Sequence, residues 1–541
     1  MADDDDARAS GQPRRWTWQE RAEGSIPRGA MLDPETEPVG DVRPFPTAYI
    51  PDQLLVARTG AEEVSPVALL RRAADAFDWR LRIEALDGRD LEDDELPPPL
   101  QPGLPGVARA VLSVADEPVR GESPRGPDAW RVLQRARLLA KSTLPEVGLN
   151  HLVSIDPVGL NPFTHTNPFT RTNPFTRTNP FTRTNPVGEY ATPGHGGRQP
   201  IARLGEGPVR AEPRRVKGRR AVVAILDTGC GAHAWLPDDI VTRRVELDGR
   251  PIGLTDAADP EVHPDLFGPL DGEIDPVAGH GTFIAGIVRQ AAPEADILSV
   301  RVADAMGVVA EDMLLTVVAD IVELVRRHRA GEKGGRPIDV LSLSLSYYHE
   351  TPVDGQFSTT LHDLLAAARA LGCTVVCSAG NDAVDRPAFP AALWEWPGSP
   401  LGLEEDGNAA HISVGALNPS ARSVALFSNV GPWVRTFAVG ASVVSTSPAF
   451  VGGLQPTSRD DRYGRRRQTV DPDDYRGGFA VWSGTSFSAP LVAGHVAREL
   501  DGSLADGEAA ARDAGAAVAV ARAAAERALA AVDAADQSRT D

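Results

Sequence analysis

At 541 residues, with 42% hydrophobic and 24% charged residues, the chain has ordinary globular composition and enough length for a large core plus a further module. A formal net charge of -20 argues against a sequence-independent grip on nucleic acid, which needs a cationic surface to displace counterions from phosphates. Apolar runs of about 18 residues are absent, and the acidic start MADDDDARASG is unlike the basic, then apolar, start of an export signal; neither nucleic acid nor membrane is expected as a partner, and the cytoplasm is the expected location.

Residues 1–42 carry Pro, Gly and charge without apolar periodicity and are expected to be disordered. A small α+β module is expected over 43–145. In it AYIPDQLLVA and ARAVLSVAD have strand character, and PVALLRRAADAF and DAWRVLQRARLLAK have the apolar spacing of helices. From 146 to 216 the pattern predicts an irregular linker. Within it the hexamer Asn-Pro-Phe-Thr-Arg-Thr repeats from Asn161 through Pro186, with His165 replacing arginine in the first copy. Proline at every sixth position disfavours helix, so the array predicts an extended spacer, about 3.1 Å per residue. Its threonines also offer docking or phosphorylation sites, and a protein partner for the array or for the module is one of the expectations.

From 217 to 507, apolar strands (AVVAILD, ADILSVRV, IDVLSLSLS, CTVVCSAGN) alternate with helical stretches (EDMLLTVVADIVELVRRHR, TTLHDLLAAARALG). That alternation predicts an α/β domain, a doubly wound and mostly parallel sheet with helices on both faces. Residues 508–541 form an alanine-rich helical segment that either packs on the sheet or stays exposed. The cysteines number three. Cys373 and Cys377, four apart in one strand, stand roughly 13 Å from each other at about 3.3 Å per residue, too far to bridge.

Three polar residues stand in glycine-rich settings. Asp227 ends AVVAILDTG, at the carboxyl edge of a strand, where open sheets of this kind place functional groups; an aspartate before Thr-Gly is, taken alone, far more often a turn or cap residue. His280 lies in AGHGTFIAGIV, where small residues suit a tightly packed helix. Ser486 lies in SGTSFSAP, ahead of Pro490, which is expected in the first turn of a helix whose positive end favours developing negative charge. A capping serine is the bland alternative.

The conjunction is more specific than its parts, because Asp, His and Ser follow in the order found in subtilisin. Through DTG around Asp227, HGTxxAG around His280 and GTSxxxP around Ser486, the sequence resembles the subtilisin-like serine proteases over roughly residues 217–500. The resemblance implies a serine endopeptidase with Asp227, His280 and Ser486 as triad, acting on proteins or peptides, with no cofactor. It also matches Asn381, in SAGND, to the family's oxyanion asparagine, and implies that Ser344, Leu345 and Ser346 line the substrate cleft opposite Ser378, Ala379 and Gly380. Ser346 stands where the family usually has glycine, and Phe283 where it has a second histidine. The segment IVRQAAPEADILSV lacks the family's inserted calcium loop, so no metal is expected there. Insertions fall at about 235–278 and 447–478.

For the N-terminal module the family suggests an inhibitory propeptide, while the long linker favours a tethered recognition domain. The different-class alternative is a catalytically silent scaffold, although no triad residue is missing. A nucleotide-binding reading fails on glycine spacing and on the absent Lys-Ser ending of a phosphate loop.

Overall fold

The computed structural model describes residues 29–32, 44–58, 65–93, 95–115, 126–155, 188–202, 204–266, 274–351, 358–450, 458–469, 475–504 and 512–539. The hexamer array and most of 1–42 lie outside these residues. Among the described residues, no helix is long and apolar enough to cross a membrane.

The N-terminal part contains strands β1 (Ala30–Met31), β2 (Ala48–Arg58), β3 (Trp79–Ala85), β4 (Asp90–Leu91), β5 (Gly106–Val114) and β6 (Val147–Ser154). Helix α1 (Pro66–Asp75) precedes β3, and helix α2 (Ala129–Ala140) precedes β6. Two expectations need correction here. Ala30–Met31 pairs with Ala48–Tyr49 although 1–42 was expected to be disordered. Strand β6 lies in the stretch expected to be irregular; Val147, Leu149 and Val153 give it enough apolar surface to be held in the sheet against β2.

The pleat explains why this module is not free-standing. Successive strand residues point to opposite faces. Leu54, Val56, Ala108 and Ala110 pack with α1 and α2, whereas Leu55 and Val107 join the core of the large domain. One face of the sheet is thus covered by its own helices. The other is covered by the large domain, whose strand β13 (Val308–Ala310) adds to the edge of β6 in antiparallel pairing.

The large domain follows strand β7 (Gln199–Ile201) and begins with β8 (Val222–Asp227), β9 (Val241–Thr242), β10 (Glu246–Leu247), β11 (Arg250–Pro251) and helix α3 (His280–Ala291). It continues through β12 (Asp296–Arg301), helix α4 (Glu311–Ala330), β14 (Val340–Leu343), helix α5 (Thr359–Ala370), β15 (Thr374–Ser378), β16 (His411–Leu417) and β17 (Thr436–Val439). Strands β18 (Val443–Thr446), β19 (Arg459–Arg462), β20 (Arg465–Gln468) and β21 (Phe479–Trp482) precede helices α6 (Thr485–Glu499) and α7 (Ala514–Ala535).

The main sheet runs β17-β16-β15-β14-β8-β12-β9, with every pairing parallel. Its strands are continuous apolar runs because both faces are buried. In β8, Val222, Ala224 and Leu226 join the cluster that contains α4 and α5; Val223 and Ile225 join that of α3, α6 and α7. The alanine-rich C-terminal segment packs on the latter side, burying Ala521, Ala524, Ala525, Ala528 and Val532. The linker is not wholly irregular either, since β7 pairs with β21, the strand leading into Ser486.

Candidate active site

Strand β8 ends at Asp227, which is fully buried. Its Oδ1 accepts from the Thr228 amide at 2.8 Å and the Thr228 hydroxyl at 3.1 Å, and lies 2.8 Å from His280 Nδ1. His280 is the first residue of α3, and the approach of that helix to the Asp227 turn depends on glycine. A Cβ on Gly281 would lie 2.0 Å from the Gly229 carbonyl oxygen, closer than atoms can stand. The HG and DTG glycines therefore let two backbones touch and bring Asp227 and His280 within one hydrogen bond.

The His280 ring is held on its other sides by aromatic residues. Trp482 meets it edge-on at 5.4 Å between centroids and Phe487 at 5.2 Å. Phe283, at the position where the family has a second histidine, packs against Phe487 at 4.6 Å. An apolar residue there completes the wall behind the imidazole. Ser486 stands beside Phe487 as the second residue of α6. Pro490 is the sixth, one turn deeper than expected, and its missing N–H removes a partner for the Ser486 carbonyl four residues earlier. Ser344 Oγ donates to that carbonyl at 3.0 Å instead.

Asn381 lies just beyond β15. Its Oδ1 accepts from the amide of Thr485 at 2.8 Å and from its hydroxyl at 2.9 Å, and the Gly380 amide donates to Thr485 Oγ1 at 3.1 Å. With the carbonyl end of the side chain so engaged, Nδ2 is the donating end, and it lies 3.6 Å from where a Cβ on Gly484 would stand. The structure thus gathers Asp227, His280, Asn381 and Ser486 at the carboxyl edge of the sheet, from four separate stretches of sequence. Ser344, Leu345, Ser346, Ser378, Ala379 and Gly380 are also there, all buried.

A strand from the N-terminal module pairs with this segment at Ser346. Ser154, the last residue of β6, donates its amide to the Ser346 carbonyl and accepts from the Ser346 amide, both at 2.9 Å. The Ile155 amide donates to the Gly307 carbonyl at 2.8 Å. The chain leaving the N-terminal module therefore lies as an extended strand between β13 and the Ser344–Ser346 segment.

Sequence reasoning missed Glu261, in the first insertion. It is 2% exposed and accepts from Thr228 Oγ1, from Thr282 Oγ1 and from the Gly281 amide at 2.9 Å. It thereby ties the Asp227 turn to the first turn of α3. Burial pushes its carboxyl up to about 7, against the hydrogen bonds from the two threonines, which favour the ionised form. No motif marks it, because it is 34 residues from Asp227 and 19 from His280. Cys230 is free, and burial pushes its thiol up to about 12; Cys373 and Cys377 are free and buried. None of the three has the lowered pKa of a reactive thiol.

The sequence profile of the subtilase family matches residues 218–514, more than half of the chain. The chain is 27% identical over 297 residues to an intracellular serine protease of Paenibacillus polymyxa, covering 52% of this chain and 67% of that one. It is 26% identical over 308 residues to an extracellular protease of Xanthomonas campestris pv. campestris, covering 52% of this chain and 44% of the relative. A solved cold-adapted subtilisin-like serine proteinase aligns with 56% of this chain and 85% of its own, at 20% identity and a TM-score of 0.31. On the extent of the profile match, the chain belongs to the subtilase family, the subtilisin-like serine proteases.

Proposed function

We propose that this chain is a serine endopeptidase that hydrolyses protein or peptide substrates through Ser486, and that its N-terminal module holds it latent. The observation that carries the chemistry is the 2.8 Å contact of His280 Nδ1 with Asp227, on a ring packed against the residue that follows Ser486. With Nδ1–H donated to Asp227, the Nε2 lone pair is available to take the Ser486 hydroxyl proton as oxygen attacks the peptide carbonyl. His280 then gives that proton to the leaving amine, and water hydrolyses the acyl-enzyme by the same sequence. Asn381 Nδ2 and the Ser486 amide stabilise the oxyanion.

Latency is supported by the Ser154–Ser346 pairing, since an extended strand already lies along the segment where an added substrate strand is expected. We place the activity in the cytoplasm, in keeping with three free cysteines. The test is labelling with a serine-directed fluorophosphonate, on the full chain and on a Ser154→Pro variant that cannot donate to Ser346. Labelling is expected to vanish in Ser486→Ala and to persist in a folded variant with all three cysteines changed to serine. Labelling that survives Ser486→Ala overturns the assignment, and a folded Ser154→Pro protein that never labels favours the silent scaffold.

A further inference from the structure

Where the N-terminal sheet meets the large domain, four ionisable side chains are buried together, none of them part of the site above. His151 comes from β6, Glu311 opens α4, and His349 and Glu350 lie in the segment beyond β14. None is more than 4% exposed. His151 Nδ1 lies 2.6 Å from Glu311 Oε2, and its Nε2 lies 2.8 Å from Glu350 Oε2. His349 Nδ1 lies 3.7 Å from the same oxygen. One donor atom each from His151, His349 and Glu350 falls within 4.8 Å of the others. Glu350 Oε1 is buried with no partner. A cavity of about 40 Å³ opens beside the cluster, lined by His151, Glu311 and His349 among others.

We propose that His151, His349 and Glu350 form a divalent-metal site, suited to zinc, which staples the N-terminal module to the large domain. Two imidazoles and a carboxylate are a zinc donor set, and ligands bonded at about 2.0–2.2 Å in a tetrahedron stand roughly 3.3 Å apart. The 2.8 Å and 3.7 Å separations bracket that figure. Glu311 has the place of an orienting carboxylate: by holding Nδ1–H of His151 it directs Nε2 toward Glu350 and His349, and metal binding would displace the proton that Nε2 donates to Glu350. Tyr347 stacks on the His151 ring at 4.6 Å and fixes its plane. His349 Nδ1 accepts the Thr351 amide at a long 3.2 Å, a contact that coordination would replace.

Space points the same way. The cavity has room for a water as fourth ligand, which needs roughly 10–15 Å³. Because His151 belongs to the module and the other two ligands to the large domain, binding here would hold the two together.

The test uses the full chain carrying Ser486→Ala, so that no peptidase activity can detach the module whether or not the catalytic reading is right. The protein is stripped with a chelator and titrated with Zn²⁺, followed by calorimetry and by metal content after desalting. One tight equivalent is expected, retained in His280→Ala and Cys230→Ser, and lost in His349→Ala and in the milder Glu350→Gln. Glu311→Gln is expected to weaken it by about 10- to 100-fold. Zinc is expected to raise Tm in the parent and in neither ligand variant. Circular dichroism confirms folding, and either ligand variant alone suffices if the other fails to fold. A parent that binds no zinc, or binding unchanged in a folded ligand variant, overturns the proposal.

Discussion

Ser344 Oγ donates to the main-chain carbonyl of Ser486 at 3.0 Å, occupying the acceptor that Pro490 cannot reach because it has no N–H. Removing the hydroxyl leaves a buried carbonyl short of a partner, which costs about 1–3 kcal/mol. Ser344→Ala is therefore expected to lower Tm and kcat together. In a Pro490→Ala background the helix supplies its own amide, and the same substitution is expected to cost less; a double-mutant cycle on Tm measures the difference. Equal costs in both backgrounds would show that Ser344 does not substitute for the missing amide.

Asn381 offers Nδ2 because Thr485 engages its Oδ1 twice. A donor that tightens as charge builds on the oxyanion acts chiefly in the transition state. Asn381→Ala is expected to lower kcat by about 10²- to 10³-fold with KM nearly unchanged. Asp at this position is expected to do no better, since an ionised carboxylate cannot donate. Steady-state kinetics on one peptide substrate decide it, with circular dichroism as the folding control.

Glu261 is held up at about 7 by burial, above its ordinary value of 4.5. A carboxyl raised in the folded state contributes stability that is present below about 4.5 and is lost as pH rises toward about 7. The loss is on the order of 3 kcal/mol at about 1.4 kcal/mol per unit. Glu261→Gln, which does not titrate, is expected to flatten this part of the stability curve. Urea unfolding at pH 4.5 and pH 8 measures it, and parallel slopes in both proteins would rule the carboxyl out as the source.

Gly281→Ala places a Cβ against the Gly229 carbonyl oxygen. The Asp227 turn and α3 must part to admit it, at a cost of about 1–3 kcal/mol, and Asp227 is expected to move away from His280. Activity is expected to fall by far more than stability. A variant with normal kcat would show that the two backbones can separate without disturbing the pair.

Ser154→Pro removes the amide that donates to Ser346. The initial rate on a small peptide is expected to rise in this variant while Ser486→Ala/Ser154→Pro stays inactive. An unchanged rate would mean that the strand from the module does not bar the cleft.

Several features were legible in the linear sequence because each is written locally. Period and length marked the strands around Asp227 and Cys377 and the helices of the large domain, and the spacing of HGT and GTS marked His280 and Ser486. Proline and glycine punctuated the turns between them. Contacts between distant segments left no such mark. Glu261 reaches the site from an insertion, Ser344 acquires its role only because Pro490 lies one turn inside α6, and β6 is a strand because β2 and β13 pair with it. The module's second apolar face, Leu55 and Val107, reads in sequence like ordinary strand alternation. A periodicity says that a face is buried and not against what; that is decided when the chain closes on itself, and here the large domain covers it and puts Ser154 beside Ser346.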